Sequence, residues 1–478
     1  MLLQNPELNK CNVAIIDGNN VPYTFQELIE ASESFSKLIE STSLVFNLCQ
    51  NTFESLSSYL GFLNNQDSTQ VLLPADIDTE LISELIINYN PNFIVLPKNR
   101  GDITQAHPDF NKALVLNEID VYSNSPNYHF EINTDIALLL STSGSTGSSK
   151  LVKLSYENII SNAQAIAEYL EISSNDRPIT TLPMNYSFGL SIINSHLIKG
   201  ATLILTESSI TEKGFWDHLK RHEATTFGGV PFTFESLNRM RFHTMKLPSL
   251  KYLTQAGGKL RTKLIESMIN TCKSNGMKFI VMYGQTEATA RMSYMPWDKI
   301  QEKPNSVGVP IPGGKFRIIN SNQEEIKSPN TTGELIYSGP NVFLGYSTRP
   351  EDLVSSNENH QELHTGDLAH FDSEGFYYIT GRKSHFVKVF GNRINLADIE
   401  AILHKNEIES ACIGHDEKLI VFTSSEHEPR EVKRFISSKV KIHPTGIKVQ
   451  QIDTFPRNQF GKIKYQELTS LYEGLINA

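Results

Sequence analysis

The sequence predicts an α/β fold, a large N-terminal part of packed β-sheets and helices followed by a small α+β C-terminal part. Three observations carry that prediction. Short apolar runs that suit buried strands alternate with stretches of 3.6-residue apolar spacing, the pattern of strands and helices taking turns. The chain has 478 residues, a length that suits roughly two to four domains and a large buried core. Beyond Gly381 lie about 95 residues with strand and helix signals of their own, enough for one small unit.

Taken in order, 71–74 (VLLP) and 93–97 (FIVLP) read as buried strands that stop at proline. Segment 136–140 (IALLL) is a continuous apolar run of the kind buried on both faces of a sheet. It enters a loop of small and hydroxyl residues, 141–150 (STSGSTGSSK). Ser155 then stands where a helix cap is wanted, and Ile159, Ile160, Ala163, Ile166, Ala167 and Leu170 follow with helical spacing. Segments 200–205 (GATLIL) and 279–282 (FIVM) read as further strands. A boundary is expected at 381–384 (GRKS), dividing one domain of residues 1–381 from a second of residues 384–478.

Composition sets several functions aside. Lys and Arg number 43 against 53 Asp and Glu, a net charge of −10, which disfavours a nucleic-acid partner. No apolar run approaches the roughly 20 residues that span a bilayer. The first residues, 1–7 (MLLQNPE), have neither the basic start nor the long apolar stretch of a secretory signal. Cys11, Cys49, Cys272 and Cys412 lie far apart with no CxxC pair, so a disulfide scaffold and a zinc ribbon both drop out. A cytoplasmic, reducing location is expected. One charge asymmetry remains: between Arg430 and Lys464 there are nine Lys or Arg against Glu431 and Asp453, a local +7.

Four segments carry chemistry. In 141–150, glycines let backbone N–H groups turn toward an anion, and seven hydroxyls with Lys150 add donors and charge. That suits a triphosphate, although the Walker spacing does not fit, and the composition equally suits a plain flexible loop. In 282–287 (MYGQTE), directly after a strand, a hydroxyl beside a carboxylate can hold Mg²⁺ shared with phosphates. In 364–369 (HTGDLA) with Arg382, a carboxylate can accept from two vicinal hydroxyls while an Arg bridges ribose and phosphate. In 456–464 (PRNQFGKIK), a glycine turn can present Lys462. Each of the last three, alone, reads better as an ordinary polar turn at the surface.

Together and in this order, with 333–340 (GELIYSGP) between them, the segments resemble those of the AMP-forming adenylating superfamily of acyl-CoA synthetases, peptide-synthetase adenylation domains and luciferases. The likeness is to its stand-alone acyl-acid ligases, and by motif it covers residues 130 to 470. It implies ATP and Mg²⁺ as cofactors and a small C-terminal domain that is mobile. It further implies that Thr142, Ser143, Gly144, Ser145, Thr146, Gly147 and Lys150 hold the β- and γ-phosphates. Thr286 should touch the α-phosphate and Glu287 should place the metal. Gly257, Gly258, Met282 and Tyr283 should flank the adenine and Gly284 should also bind the nucleotide, with Asp367 on the ribose and Arg382 on ribose and phosphate. Lys462 is the implied adenylation lysine, and catalysis is expected from Lys462, Thr286 and Glu287. Tyr186, Ser187, Phe188, Gly228 and Gln255 should shape the acid pocket, and Ser384 should be the hinge.

Two departures from the family text matter. The hinge is often Asp or Lys two positions after the Arg, where this chain has Ser384. Many acyl- and aryl-CoA synthetases read Pro-x-x-His near 183–186, where this chain has Tyr186. Members that activate α-amino acids usually carry an Asp there for the ammonium, and a buried ammonium without one is costly, which weighs against amino-acid substrates. The implied reaction is acid plus ATP to acyl-AMP and pyrophosphate, then transfer to a phosphopantetheine thiol on coenzyme A or an acyl carrier protein. Transfer to a non-thiol acceptor, or stand-alone amino-acid adenylation, are the alternatives. An inactive scaffold is expected to have lost Lys462, Glu287 or Asp367, and all three are present. The pair His218 and His222 at i, i+4 reads as a solvated basic face rather than a metal site. Oligomeric state and the identity of the small carboxylic acid are not legible.

Overall fold

The structure is a computed structural model that describes every residue except 1, 4–7, 125–130, 142–149, 356–361, 384–385, 391, 416–417, 441–442, 459–461 and 478. Thr142, Ser143, Gly144, Ser145, Thr146, Gly147 and Ser384 therefore lie outside the described residues.

The largest sheet has eight strands. Its centre is parallel, with Ser68–Pro74 between Ser43–Cys49 and Ile136–Ser141, and Phe93–Pro97 on the far side of Ser43–Cys49. Each central strand is buried along almost its whole length, so its text does not alternate between apolar and polar, and the enclosed Asn47 donates to Ser58 and Gln70 at 3.0 and 3.4 Å. Leu151–Ser155 returns antiparallel beside Ile136–Ser141, so 141–150 is the connection between two neighbouring strands. Ser155 then caps helix Tyr156–Tyr169 through a reciprocal box with Asn158, and Ile159, Ala163 and Ile166 are buried on its inner face.

A second sheet sets Thr226–Gly229, Tyr252–Gln255 and Lys278–Tyr283 in parallel, with two short antiparallel strands beyond them. A third, antiparallel, runs Lys315–Ile319, Gly333–Ser338, Glu362–Phe371 and Tyr377–Arg382. From Phe386 onward the chain makes a hairpin and a three-stranded sheet of its own, packed by helices Leu396–Lys405, Pro429–Val440 and Tyr465–Asn477. Val389, Ile399, Leu403, Cys412, Leu419 and Val432 form a separate apolar cluster there.

The strands expected at 71–74, 93–97, 136–140 and 279–282 are present. The run 200–205 is narrower than expected, a strand only at Leu203–Ile204. Gly200, at φ +70°, and Ala201 turn their N–H groups back to the carbonyls of Leu197 and His196 at 2.9 and 3.1 Å, which closes the preceding helix. The expected solvated histidine face is also corrected. His218 is buried, and its Nδ1 and the His222 Nε2 both meet Asn20 Oδ1, at 3.2 and 2.8 Å. Among the described residues no helix is long and apolar enough to cross a membrane.

Candidate functional site

The strand Lys278–Tyr283 brings its last residue up to an inner strand of the third sheet, Glu362–Phe371. The chain then makes a tight turn that only glycine permits, because a Cβ on Gly284 would stand 1.8 Å from the Ala290 carbonyl oxygen. The turn aims Tyr283 and Gln285 at one carboxylate. The Tyr283 hydroxyl donates to Asp367 Oδ2, and Gln285 Nε2 donates to the same oxygen at 2.9 Å and to the Thr365 carbonyl at 3.0 Å. Asp367 lies directly across the strand pair from Arg382, whose Nε donates to Asp367 Oδ1 at 2.8 Å. Burial, reinforced by the Asp367 charge, holds the Tyr283 phenol well above its ordinary value. The same carboxylate raises Arg382.

The 3₁₀ turn Thr286–Ala288 continues from there. The Thr286 hydroxyl meets that of Ser187 at 3.3 Å. Glu287 Oε1 accepts from the Tyr346 hydroxyl at 2.9 Å, and Lys150 Nζ lies 3.4 Å over the Tyr346 ring. Lys150, from the hydroxyl-rich connection, and Glu287, from the turn that follows the second sheet's strand Lys278–Tyr283, are thus brought to one tyrosine. Lys462 arrives from the C-terminal part, in a turn closed by its own N–H on Asn458 Oδ1 at 3.0 Å and by the Asn458 N–H on its carbonyl at 2.9 Å. Burial pushes its amine below the ordinary lysine value. Arg382 pushes in the same direction, while Glu287 and Asp367 oppose both. One lysine therefore feels three of the four charges that the sequence singles out.

A second group of residues lies under this junction. Tyr186 is the cap residue of helix Ser187–Leu197, and its hydroxyl would be 2.8 Å from a Cβ on Gly257, itself at φ +83°. A side chain on Gly258 would press on Pro231 at 3.0 Å. Gly228 leaves room between Ile192 and Phe188, where a Cβ would come within 2.7 and 3.1 Å of their side chains. Gly228 and Met282 line a small cavity with Ser191, Thr254 and Arg291. Gln255 does not face it, because its amide donates to the carbonyls of Gly258 and Ala256 at 2.9 and 3.2 Å. The residue that sequence reading missed is Arg291. It is 3% exposed, and its guanidinium carbon stands 3.8 Å over the Phe188 ring. The available signal was a lone arginine among small and apolar residues in 288–295 (ATARMSYM), just after Glu287.

The profile of the AMP-binding enzyme family matches residues 4–347. The oxalate–CoA ligase of Arabidopsis thaliana is 26% identical over 474 residues, covering 95% of this chain and 88% of that protein. A long-chain-fatty-acid–CoA ligase of Escherichia coli O157:H7 is 28% identical over 360 residues, covering 72% of this chain and 63% of that one. The O-succinylbenzoate coenzyme A synthetase of Bacillus subtilis, solved in complex with AMP, superposes with a TM-score of 0.79 at 23% identity over 98% of this chain and 97% of that chain. The same synthetase with ATP and magnesium ion gives 0.77 at 22% identity, over 98% of each chain.

Proposed function

The chain belongs to the AMP-binding enzyme family, and from that premise we propose that it activates a carboxylic acid with ATP and passes the acyl group to the thiol of coenzyme A. The observation that carries this reading is the convergence of Lys462, Arg382, Asp367 and Glu287 on one junction between three separate parts of the chain. A carboxylate is a poor acyl donor at neutral pH. Its oxygen attacks the α-phosphorus, the bond from that phosphorus to the β-phosphate bridging oxygen breaks, and pyrophosphate leaves. Negative charge gathers around the phosphorus as this happens, and donors already fixed in place stabilise it most.

In this reading Asp367, held by Tyr283, Gln285 and Arg382, accepts from the ribose hydroxyls. Arg382 reaches the phosphate, Thr286 touches the α-phosphate, and Lys462 neutralises the developing charge. Lys150 meets the outer phosphates beside the connection 142–149. Glu287 suits Mg²⁺, because one hard carboxylate oxygen next to substrate phosphates is how that ion is commonly bound. Bound there, the ion would offset phosphate charge. Gly257, Gly258, Met282 and Gly284 would flank the adenine, and Tyr186, Ser187 and Phe188 the acid. A division at 381–384 belongs to the same reading, the part beyond it swinging at Ser384 to withdraw Lys462 and admit the thiol.

Coenzyme A is the acceptor proposed because the two relatives from Arabidopsis and Escherichia are named as CoA ligases. The basic stretch does not single out a carrier protein. Arg457 pairs with Glu409 and Lys464 with Glu467, and Lys462 turns toward the junction. A cation, Arg291, rather than a carboxylate lines the cavity, which weighs further against an α-ammonium group. The test is pyrophosphate exchange into ATP across an acid panel with Mg²⁺, followed by thioester formation with coenzyme A. Exchange with one acid class and its consumption by the thiol is the expected result. Protein that binds ATP yet exchanges with no acid overturns the reading.

A further inference from the structure

We propose that the acid this chain activates carries a second carboxylate at its far end, and that Arg291 receives it. The inference rests on the acid-activating reading above and names its substrate class.

The backbone at Arg291 is fixed, its carbonyl accepting from the side-chain amides of Asn162 and Asn341 at 3.0 and 2.9 Å. The side chain is nevertheless short of partners of its own kind. Nε faces Met282 Sδ at 3.4 Å, and the other polar groups acting on it are the Tyr169 and Tyr186 phenols. Among the described residues no carboxylate forms an ion pair with it, although other arginines of the chain do form such pairs. A thioether is a weak acceptor and a phenol is neutral at pH 7, whereas a guanidinium carries five N–H donors. Buried lysine or histidine can shed its proton, but arginine keeps its charge. A buried, permanent charge without a counter-ion is expensive. Phe188 offers it a ring face, which helps but does not replace an anion.

The location of the charge indicates what the anion is. Arg291 lines the cavity with Gly228 and Met282, and Met282 runs directly into Tyr283 and the turn that presents Thr286. His196 also lines it, but its Nδ1 faces the Ile192 carbonyl at 2.8 Å and its Nε2 the Tyr252 hydroxyl at 3.1 Å. Burial pushes His196 down to about 4, so it is neutral at pH 7. That leaves Arg291 as the cation of the lining among the described residues. The walls are aliphatic and hydroxyl groups, from Ile166, Leu170, Ile192, Thr226 and Thr254. The space is only about as large as one water molecule, so it takes no more than the carboxylate end of a short acid, and a planar carboxylate matches the guanidinium fork with two parallel hydrogen bonds.

Pyrophosphate exchange with the full chain, using acids paired by carbon number, decides the matter. The pairs are butanoate with succinate, pentanoate with glutarate, and hexanoate with adipate. The expected result is one diacid exceeding its monoacid by about a hundredfold or more in kcat/KM, since a site built for a polar group rejects analogues that lack it. Arg291→Met should cut that ratio to below about tenfold, chiefly through KM for the diacid, and Arg291→Lys should keep an intermediate ratio. A wild type that prefers monoacids, or a ratio unchanged in Arg291→Met, makes Arg291 a structural strut and overturns the inference while the ligase reading stands. Should Arg291→Met fail to fold, the wild-type ratio and melting of the wild type with each acid decide. Greater stabilisation by the diacid supports the proposal, and equal stabilisation sinks it. Exchange with no acid, from protein that binds ATP, brings down the ligase reading and this inference with it.

Discussion

Two arginines divide the candidate site between them. Arg382 ends a strand opposite Asp367 and is paired with it at 2.8 Å, its side chain more than half exposed. Arg291 is buried, lies on an aromatic ring, and has no carboxylate partner among the described residues. The carboxylate raises the first above the ordinary arginine value, while burial lowers the second. The side proposed for the nucleotide is thus internally balanced before any ligand arrives, and the side proposed for the acid is not. A balanced side can hold its shape while ligands come and go. An unbalanced side has to take its balance from what it binds.

The largest expected effect comes from removing the charge that faces the balanced side. Lys462→Ala should lower acyl-AMP formation by about a thousandfold, in line with the loss of a fixed transition-state donor. ATP affinity should change far less, since Asp367, Arg382 and Lys150 remain in place. Pyrophosphate exchange and nucleotide titration separate the two, and near-normal exchange would remove the lysine from its proposed role. The pH profile gives a second reading. Burial and Arg382 lower the amine from the ordinary 10.5, so the alkaline limb of adenylation should fall below that value.

The next effects test how the balance is built. Gly284→Ala places a methyl group 1.8 Å from the Ala290 carbonyl, so the turn that carries Gln285, Thr286 and Glu287 must shift. A loss of about 2–3 kcal/mol in stability is expected, with weakened ATP binding, by denaturant titration and nucleotide titration. Asp367→Ala leaves Tyr283, Gln285 and Arg382 without their common acceptor. Losing charged hydrogen bonds of this kind amounts to about 1.5–3 kcal/mol, so KM for ATP should rise by roughly ten- to a hundredfold. An unchanged KM would mean that the network serves the fold and not the nucleotide.

The two sides also differed in how far they could be read beforehand. Tyr283, Asp367 and Arg382 sit in short runs whose residue types state their chemistry, and the strands leading to them are apolar runs of the right length. Their meeting depends on strand register, which places Asp367 opposite Arg382 but has no trace in either run alone. Arg291 is the reverse case. A single arginine in an apolar stretch carries no pattern, and only the packing of Phe188, Met282 and Tyr169 around it reveals that the charge is enclosed. His218 went wrong for a related reason. Its helix looks basic and solvated, and the contact that buries it comes from Asn20, far away in the chain.

Glu400 sharpens the contrast at the smallest scale. Like Arg291 it is largely enclosed and has no ion-pair partner among the described residues, its oxygens accepting from the Cys412 N–H at 2.7 Å and the Tyr465 hydroxyl at 3.0 Å. Unlike an arginine, a carboxyl group can escape its charge. Burial lifts it from the ordinary 4.5 to about 7, with the two donors pulling the other way. Between those values the folded chain holds a proton that the unfolded chain has lost. Its stabilising contribution is therefore complete below about 4.5 and falls away as the pH rises through about 7. Glu400→Gln keeps an acceptor for the Cys412 N–H and carries no charge. It should flatten the decline of stability between pH 5 and 8 and raise stability at pH 8 by about 1 kcal/mol, as urea denaturation at the two pH values would register. An unaltered slope in that variant would mean that the group stays ionised in its enclosure. An enclosed charge without a counter-ion would then be tolerable in this chain, and the argument that Arg291 needs an anion would lose its footing along with it.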